Sequence, residues 1–154
     1  MLTQRFGFVG AGKMATALAR GFVQAGLTAG DRIAAYDPSY AASAEFAAAC
    51  GGRAAASNRD VAATADVVVL AVKPQQAAAA CAELRGAVAG KLVMSIAAGI
   101  TLTTLAEALG AGVRLVRVMP NTPCLVGQGA AGYALGSGAG PADEADALAG
   151  RDGQ

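Results

Sequence analysis

Histidine is absent from the 154-residue sequence. That absence excludes Ser-His-Asp and Cys-His nucleophile systems, the His-Glu-x-x-His zinc proteases and the zinc deaminases, all of which need an imidazole as base or ligand. Cysteine is scarce as well. Cys50, Cys81 and Cys124 are odd in number and far apart, with no Cys-x-x-Cys pair, so neither a disulfide framework nor a thiolate metal site is expected. They read as reduced, buried small residues. Long apolar runs are missing: the longest are 67–72 and 77–82, far short of the ~18 residues that suggest a membrane span. Neither sign of charge dominates. Twelve basic residues against eleven acidic ones leave a formal charge of +1 with no long block, and nothing invites nucleic acid or an anionic membrane. Residues 1–5 show neither a basic segment followed by an apolar one nor an arginine-rich amphipathic helix, so a soluble, cytoplasmic protein is expected.

What is present is alternation. Short β-branched runs at 5–9, 32–36, 53–55, 67–71, 92–95 and 114–118 are separated by alanine-rich helical stretches at 12–25, 39–50, 58–64, 75–84 and 102–109. This is the sequence form of repeated βαβ units, and it predicts an α/β fold: a Rossmann-type, doubly wound, mostly parallel sheet. In the first helix Met14, Leu18 and Phe22 recur at fourfold spacing as a core-facing stripe, and Gly26 supplies a C-terminal stop. Val67-Val68-Val69-Leu70 reads as a central strand covered on both faces, whose carboxyl end is a candidate ligand edge. Residues 133–135 can add one more strand. The organisation expected is a dinucleotide-binding domain over 1–135 and a Gly/Ala/acidic tail over 136–154.

Gly10-Ala11-Gly12-Lys13-Met14-Ala15 matches G-x-G-x-x-(G/A) between a strand and a helix. Gly10 allows the tight turn, Gly12 lets backbone approach a pyrophosphate, and Ala15 permits close helix-to-strand packing; the amides of the helix start then face the diphosphate. Gly7 to Lys13 also satisfies the Walker A spacing G-x-x-x-x-G-K, but Met14 stands where Ser or Thr must hold Mg²⁺, and Gly7 falls inside the strand. Asp37 ends the second strand, where a carboxylate can bond the adenosine ribose hydroxyls and repel a 2′-phosphate. Its other reading is the cap of the next helix, with Pro38 at the first helical position.

Four segments together, 7–15, Ala71-Val72-Lys73-Pro74, Ser95-Ile-Ala-Ala-Gly-Ile100 and Arg117-Val-Met-Pro-Asn-Thr-Pro123, resemble the amino-terminal half of the pyrroline-5-carboxylate reductase family. The resemblance implies NADPH or NADH as cofactor. It places Ala11, Lys13 and Met14 at the diphosphate, Asp37 and Pro38 beside the adenosine ribose, and Asn58 at the adenosine end. Val72 and Lys73 would end the fourth strand at the crevice, with Ala98 near the nicotinamide and Asn121 and Thr122 near the same edge. Packing for Ala98, a solvated strand terminator for Lys73-Pro74 and an Asx-type turn for Asn121 remain open as structural alternatives. The family's chemistry is hydride transfer to a cyclic imino acid, giving proline; no catalytic residue and no metal ligand are assigned. The family's helical second half, with its Gly-Ser-Gly-Pro-Ala-Tyr segment and homo-oligomer interface, has no counterpart in these residues. Two other readings follow: a noncatalytic dinucleotide-binding module, or a fragment of a 3-hydroxyacid dehydrogenase. The core face that would meet the missing half is expected to lie uncovered and to drive self-association.

Overall fold

Each apolar run of the sequence forms a strand and each alanine-rich stretch a helix. The structure, a computed structural model, describes residues 4–97, 99–110, 112–120 and 131–135. In chain order the elements are β1 (Phe6–Val9), α1 (Lys13–Gln24), β2 (Ile33–Tyr36), α2 (Tyr40–Cys50), β3 (Arg53–Ala54), α3 (Asn58–Thr64), β4 (Val67–Leu70), α4 (Pro74–Leu84), β5 (Leu92–Ser95), α5 (Leu102–Leu109), β6 (Arg114–Pro120) and β7 (Ala131–Leu135). The strands form one sheet in the order β3-β2-β1-β4-β5-β6-β7. All neighbours are parallel except β6 and β7. The chain therefore leaves β1 in one direction to build β2 and β3, then returns to β1's other side to build β4, β5 and β6. This is the doubly wound Rossmann order, and its switch point lies between β1 and β4.

Both faces of the sheet are covered, and β4 shows how. Val67 and Val69 enter a core shared with Leu18 and Phe22 of α1 and Phe46 of α2, whereas Val68 and Leu70 enter a second core with Val61 of α3, Leu84 of α4 and Leu105 of α5. Burying each such side chain stabilises the fold by about 1.5–3 kcal/mol. Phe8 anchors the first layer, its ring centroid 6.5 Å from Phe22 and 5.1 Å from Phe46. Gly7 lies under α3: a Cβ there would come within 2.5 Å of Val61 Cγ1 and 2.8 Å of Ala65 Cβ. Close packing of helix on strand, and not a phosphate loop, accounts for this glycine. Helix α1 ends as read, on Gly26 at φ 74°, with Leu27 N–H donating to Phe22 O and Gly26 N–H to Val23 O, a Schellman closure.

Several boundaries move. Gly30–Arg32 forms a 3₁₀ turn before β2, and Gly12 is the N-cap of α1 while its helical residues run Lys13–Gln24. Strand β4 stops at Leu70; Val72 and Lys73 lie beyond it in an extended connection, a correction to their reading as strand residues. Strand β6 runs on to Pro120 because β7 pairs with it, Met119 with Gly132 and Pro120 with Ala131. Leu92, Met94, Val116 and Val118 are buried in the first core, and Tyr40 is the one large hydrophobic residue exposed among the described residues. No helix among the described residues is long and apolar enough to cross a membrane. The tail 136–154 lies outside the described residues.

Candidate dinucleotide-binding site

The parallel strands end level with one another. Register places Val9 beside Tyr36 and Leu70, Leu70 beside Ser95, and Ser95 beside Arg117. At the switch point the chain turns tightly out of β1: Gly10 N–H donates to Tyr36 O at 2.9 Å, and Ala71 N–H donates to Val9 O at 2.8 Å. Gly10 has φ 99°, and a Cβ on it would lie 2.8 Å from Ala71 O. No other residue fits there without moving the start of the β4–α4 connection.

Gly12 has the opposite surroundings. Its φ of −77° suits any residue, and a Cβ built on it meets nothing within 4 Å. Nothing in the protein requires a glycine at this position; the open space above it requires one only if something else must come close. Helix α1 starts here with no side-chain cap and no acidic residue in its first turn. Its leading N–H groups are therefore free to bond an anion, and they carry the positive end of the helix dipole. Helices α2, α3 and α5 are closed instead by Ser39, Ser57 and Thr101, which accept from Ala42, Asp60 and Thr104 N–H. Lys13 is exposed, Met14 half-buried against the core and Ala15 buried. A groove of about 680 Å³ opens from Ala11, Gly12 and Lys13 and runs between α1 and α2 past Arg20 to Glu45. It adjoins the loop on the helix side and is not the crevice at the strand ends.

Asp37 does not cap α2. Ser39 does, helix α2 begins at Tyr40, and Pro38 precedes the cap, a correction to the helix-cap reading of Asp37 and Pro38. The carboxylate instead takes Ala11 N–H on Oδ2 at 3.0 Å and Ser39 N–H on Oδ1 at 2.9 Å. The buried Ser43 hydroxyl accepts from Asp37 N–H at 3.0 Å and donates to Asp37 O at 3.3 Å. Asp37 thus ties the end of β2, the glycine loop and the start of α2 together, and each oxygen keeps a lone pair for a further donor.

Asn58 opens α3 and is buried; its Nδ2 donates to Glu83 Oε2 of α4 at 2.8 Å, and its Oδ1 has no partner. Glu83 carries no sequence signal for this role, since 25 residues separate the pair and only the packing of α3 on α4 joins them. Val72 is half-buried against the same core as Tyr36 and Val61, and exposed Lys73 is the N-cap of α4 ahead of Pro74. Arg117, level with Ser95, has a buried Nε without a partner. Asn58 Oδ1 and Arg117 Nε are thus orphaned buried polar atoms on elements that border the crevice, and such atoms carry a cost of about 1–3 kcal/mol that a ligand can relieve. Ala98, Asn121, Thr122 and Cys124 lie outside the described residues. The described loop, dipole and orphaned groups fit a dinucleotide laid across the strand ends.

Burial raises the thiol pKa of Cys50 and of Cys81 above the usual value, so neither is poised as a nucleophile.

Comparison with known proteins agrees with this geometry. Residues 5–99 match the family model described as NADP oxidoreductase coenzyme F420-dependent. A pyrroline-5-carboxylate reductase of Methanosarcina acetivorans is 40% identical over 149 residues, covering 96% of this chain and 55% of that protein. Among solved structures, a pyrroline-5-carboxylate reductase from Coxiella burnetii superposes with a TM-score of 0.91 at 35% identity, covering 97% of this chain and 56% of that one. The pyrroline carboxylate reductase of Plasmodium falciparum, solved with NADP bound, gives 0.87 at 30% identity, covering 99% and 56%. The chain spans about half the length of the relatives it matches.

Proposed function

The chain belongs to the NADP oxidoreductase, coenzyme F420-dependent family; from that premise we propose that it is the cofactor-binding half of a pyrroline-5-carboxylate reductase, holding NADPH or NADH for reduction of 1-pyrroline-5-carboxylate to L-proline. The observation that carries the reading is the contrast between the two loop glycines. Gly10 is demanded by the protein's own backbone, whereas Gly12 faces open space above an uncapped helix start. A diphosphate laid over Gly12 accounts for that space.

In this reading Gly10, Gly12, Lys13 and Met14 surround the diphosphate. Ala11, beside them in the loop, has its N–H engaged by Asp37 and holds the loop in shape. Asp37, Pro38 and Asn58 lie at the adenosine end, Val72 and Lys73 line the crevice beside β4, and Ala98 and Asn121 belong to the nicotinamide end. When bound, the dihydronicotinamide supplies the hydride, which goes to the C=N carbon while the ring nitrogen keeps the proton of its iminium form. The protein's task is to align the two rings and exclude water. In this reading it works in the cytoplasm and takes a small cyclic imino acid, with no membrane or nucleic-acid partner; the homo-oligomer is an expectation for the full-length family.

A second reading is a noncatalytic dinucleotide-binding module, favoured by a site whose described features, the glycine loop and the uncapped helix start, serve the nucleotide alone. One assay separates the readings: NADH or NADPH oxidation by the purified chain with 1-pyrroline-5-carboxylate, run beside calorimetric titration of each nucleotide. Turnover supports the reductase; binding without turnover supports the module; a folded chain that binds neither nucleotide removes both.

A further inference from the structure

The amide of Asn58 has a donor side and an acceptor side, and the structure decides which is which. Nδ2 is held by Glu83 Oε2 at 2.8 Å, so a flip that exchanged nitrogen for oxygen would set two acceptors against each other. The oxygen is the side left over, buried and without a donor. Asp37, at the end of β2, likewise offers only acceptors, both oxygens already holding one amide and open to one more donor. Neither Pro38 nor Ser39, which join β2 to α2, carries the positive charge that takes up a 2′-phosphate. Arg59, next to Asn58, is exposed.

We infer that Glu83 is a positioning residue that fixes Asn58 as a hydrogen-bond acceptor and so, together with Asp37, sets the site for the unphosphorylated ribose of NADH in preference to NADPH. This inference rests on the dinucleotide reading above. A ribose with free hydroxyls brings donors to these acceptors. A 2′-phosphate brings about two negative charges and almost no donor, and it meets a carboxylate. Removing Glu83 frees the Asn58 amide to turn Nδ2, now held by Glu83 Oε2, outward toward a phosphate.

The test is calorimetric titration of the 154-residue chain with NADH and with NADPH, repeated for Glu83→Ala and Glu83→Gln; the chain has no tryptophan, so the nucleotide's own emission gives a second readout. The wild type should bind NADH at least about tenfold more tightly than NADPH, the loss expected when a buried acceptor meets no donor. Glu83→Ala should weaken NADH and narrow that ratio to less than about threefold. Glu83→Gln, whose side-chain oxygen can still accept from Asn58, should restore the ratio. Equal binding of the two nucleotides by the wild type, or an unchanged ratio in folded Glu83→Ala, overturns the inference and leaves the dinucleotide site standing. A folded wild type that binds neither nucleotide overturns the dinucleotide reading itself.

Discussion

Ala11 donates its backbone N–H to Asp37 Oδ2 at 3.0 Å across 26 residues of chain, so the glycine loop is held from the end of the neighbouring strand. The same carboxylate takes Ser39 N–H on its other oxygen. Asn has a single oxygen to offer, so Asp37→Asn strands one of the two amides, and Asp37→Ala strands both. Ala11 is buried, and leaving its donor unpaired costs about 1–3 kcal/mol. Urea denaturation should rank wild type above Asp37→Asn above Asp37→Ala. Nucleotide affinity should fall in the same order. A stable Asp37→Ala with full affinity would remove the tether from the account.

The two loop glycines should separate folding from binding. Gly12→Val lies at a helix N-cap with an ordinary φ and open space, so it should lower stability by no more than about 1 kcal/mol while abolishing dinucleotide binding. Gly10→Ala must accommodate φ 99° and a contact of 2.8 Å to Ala71 O, and should destabilise the fold by at least about 1–3 kcal/mol. Parallel melting curves and titrations decide the matter. A Gly12→Val chain that still binds NADH or NADPH normally sinks the loop assignment.

Much of this architecture was legible because β4 and α1 advertise themselves: four consecutive apolar residues for a strand buried on both faces, and a fourfold stripe closed by Gly26. The order of the strands was not readable from any one segment and followed from the alternation as a whole. The cap reading of Asp37 stays open in the sequence because Ser39, two residues on, is an equally good cap, and local chemistry does not say which wins; in the fold Ser39 takes the cap and Asp37 turns to Ala11. Strand β6 outran its β-branched run because β7, the next strand along the chain, folds back and pairs with its end. The Asn58–Glu83 bond was invisible for the same reason, since it exists only once α3 lies on α4.

Cys50 and Cys81 are buried, and burial raises both thiol pKa values above 9.0. The neutral thiol is the form the fold favours. The resulting stability is fully present below the ordinary thiol pKa and is lost as pH rises through the folded value. At neutral pH both cysteines should resist alkylation by iodoacetamide in the native chain and react fully in urea. Peptide mapping would show this directly. Rapid native labelling of either would mean that its surroundings open far more readily than this core allows.

Asp60 works on the opposite side of the pH scale. Ala56 N–H and the Arg53 guanidinium both donate to its Oδ2 at 3.1 Å, and these bonds, the backbone one foremost, hold its pKa below 3.8. They fasten the two-residue edge strand β3 to α3, the turn that leads to Asn58. A depressed carboxyl pKa contributes stability above the unfolded value, and that contribution disappears as pH falls from about 3.8 through the folded value. Asp60→Asn keeps an oxygen for Ala56 N–H but removes the charge. At pH 7 it should lower stability by less than about 1 kcal/mol, because the pair with Arg53 is solvent-exposed. The gap between variant and wild type should shrink as the pH is lowered below 3.8 and narrow at high salt at any pH. Denaturation midpoints of the two proteins at pH 7 and at pH 2.5 give the comparison. A gap of equal size at both would place the effect in packing and take the charge out of the account.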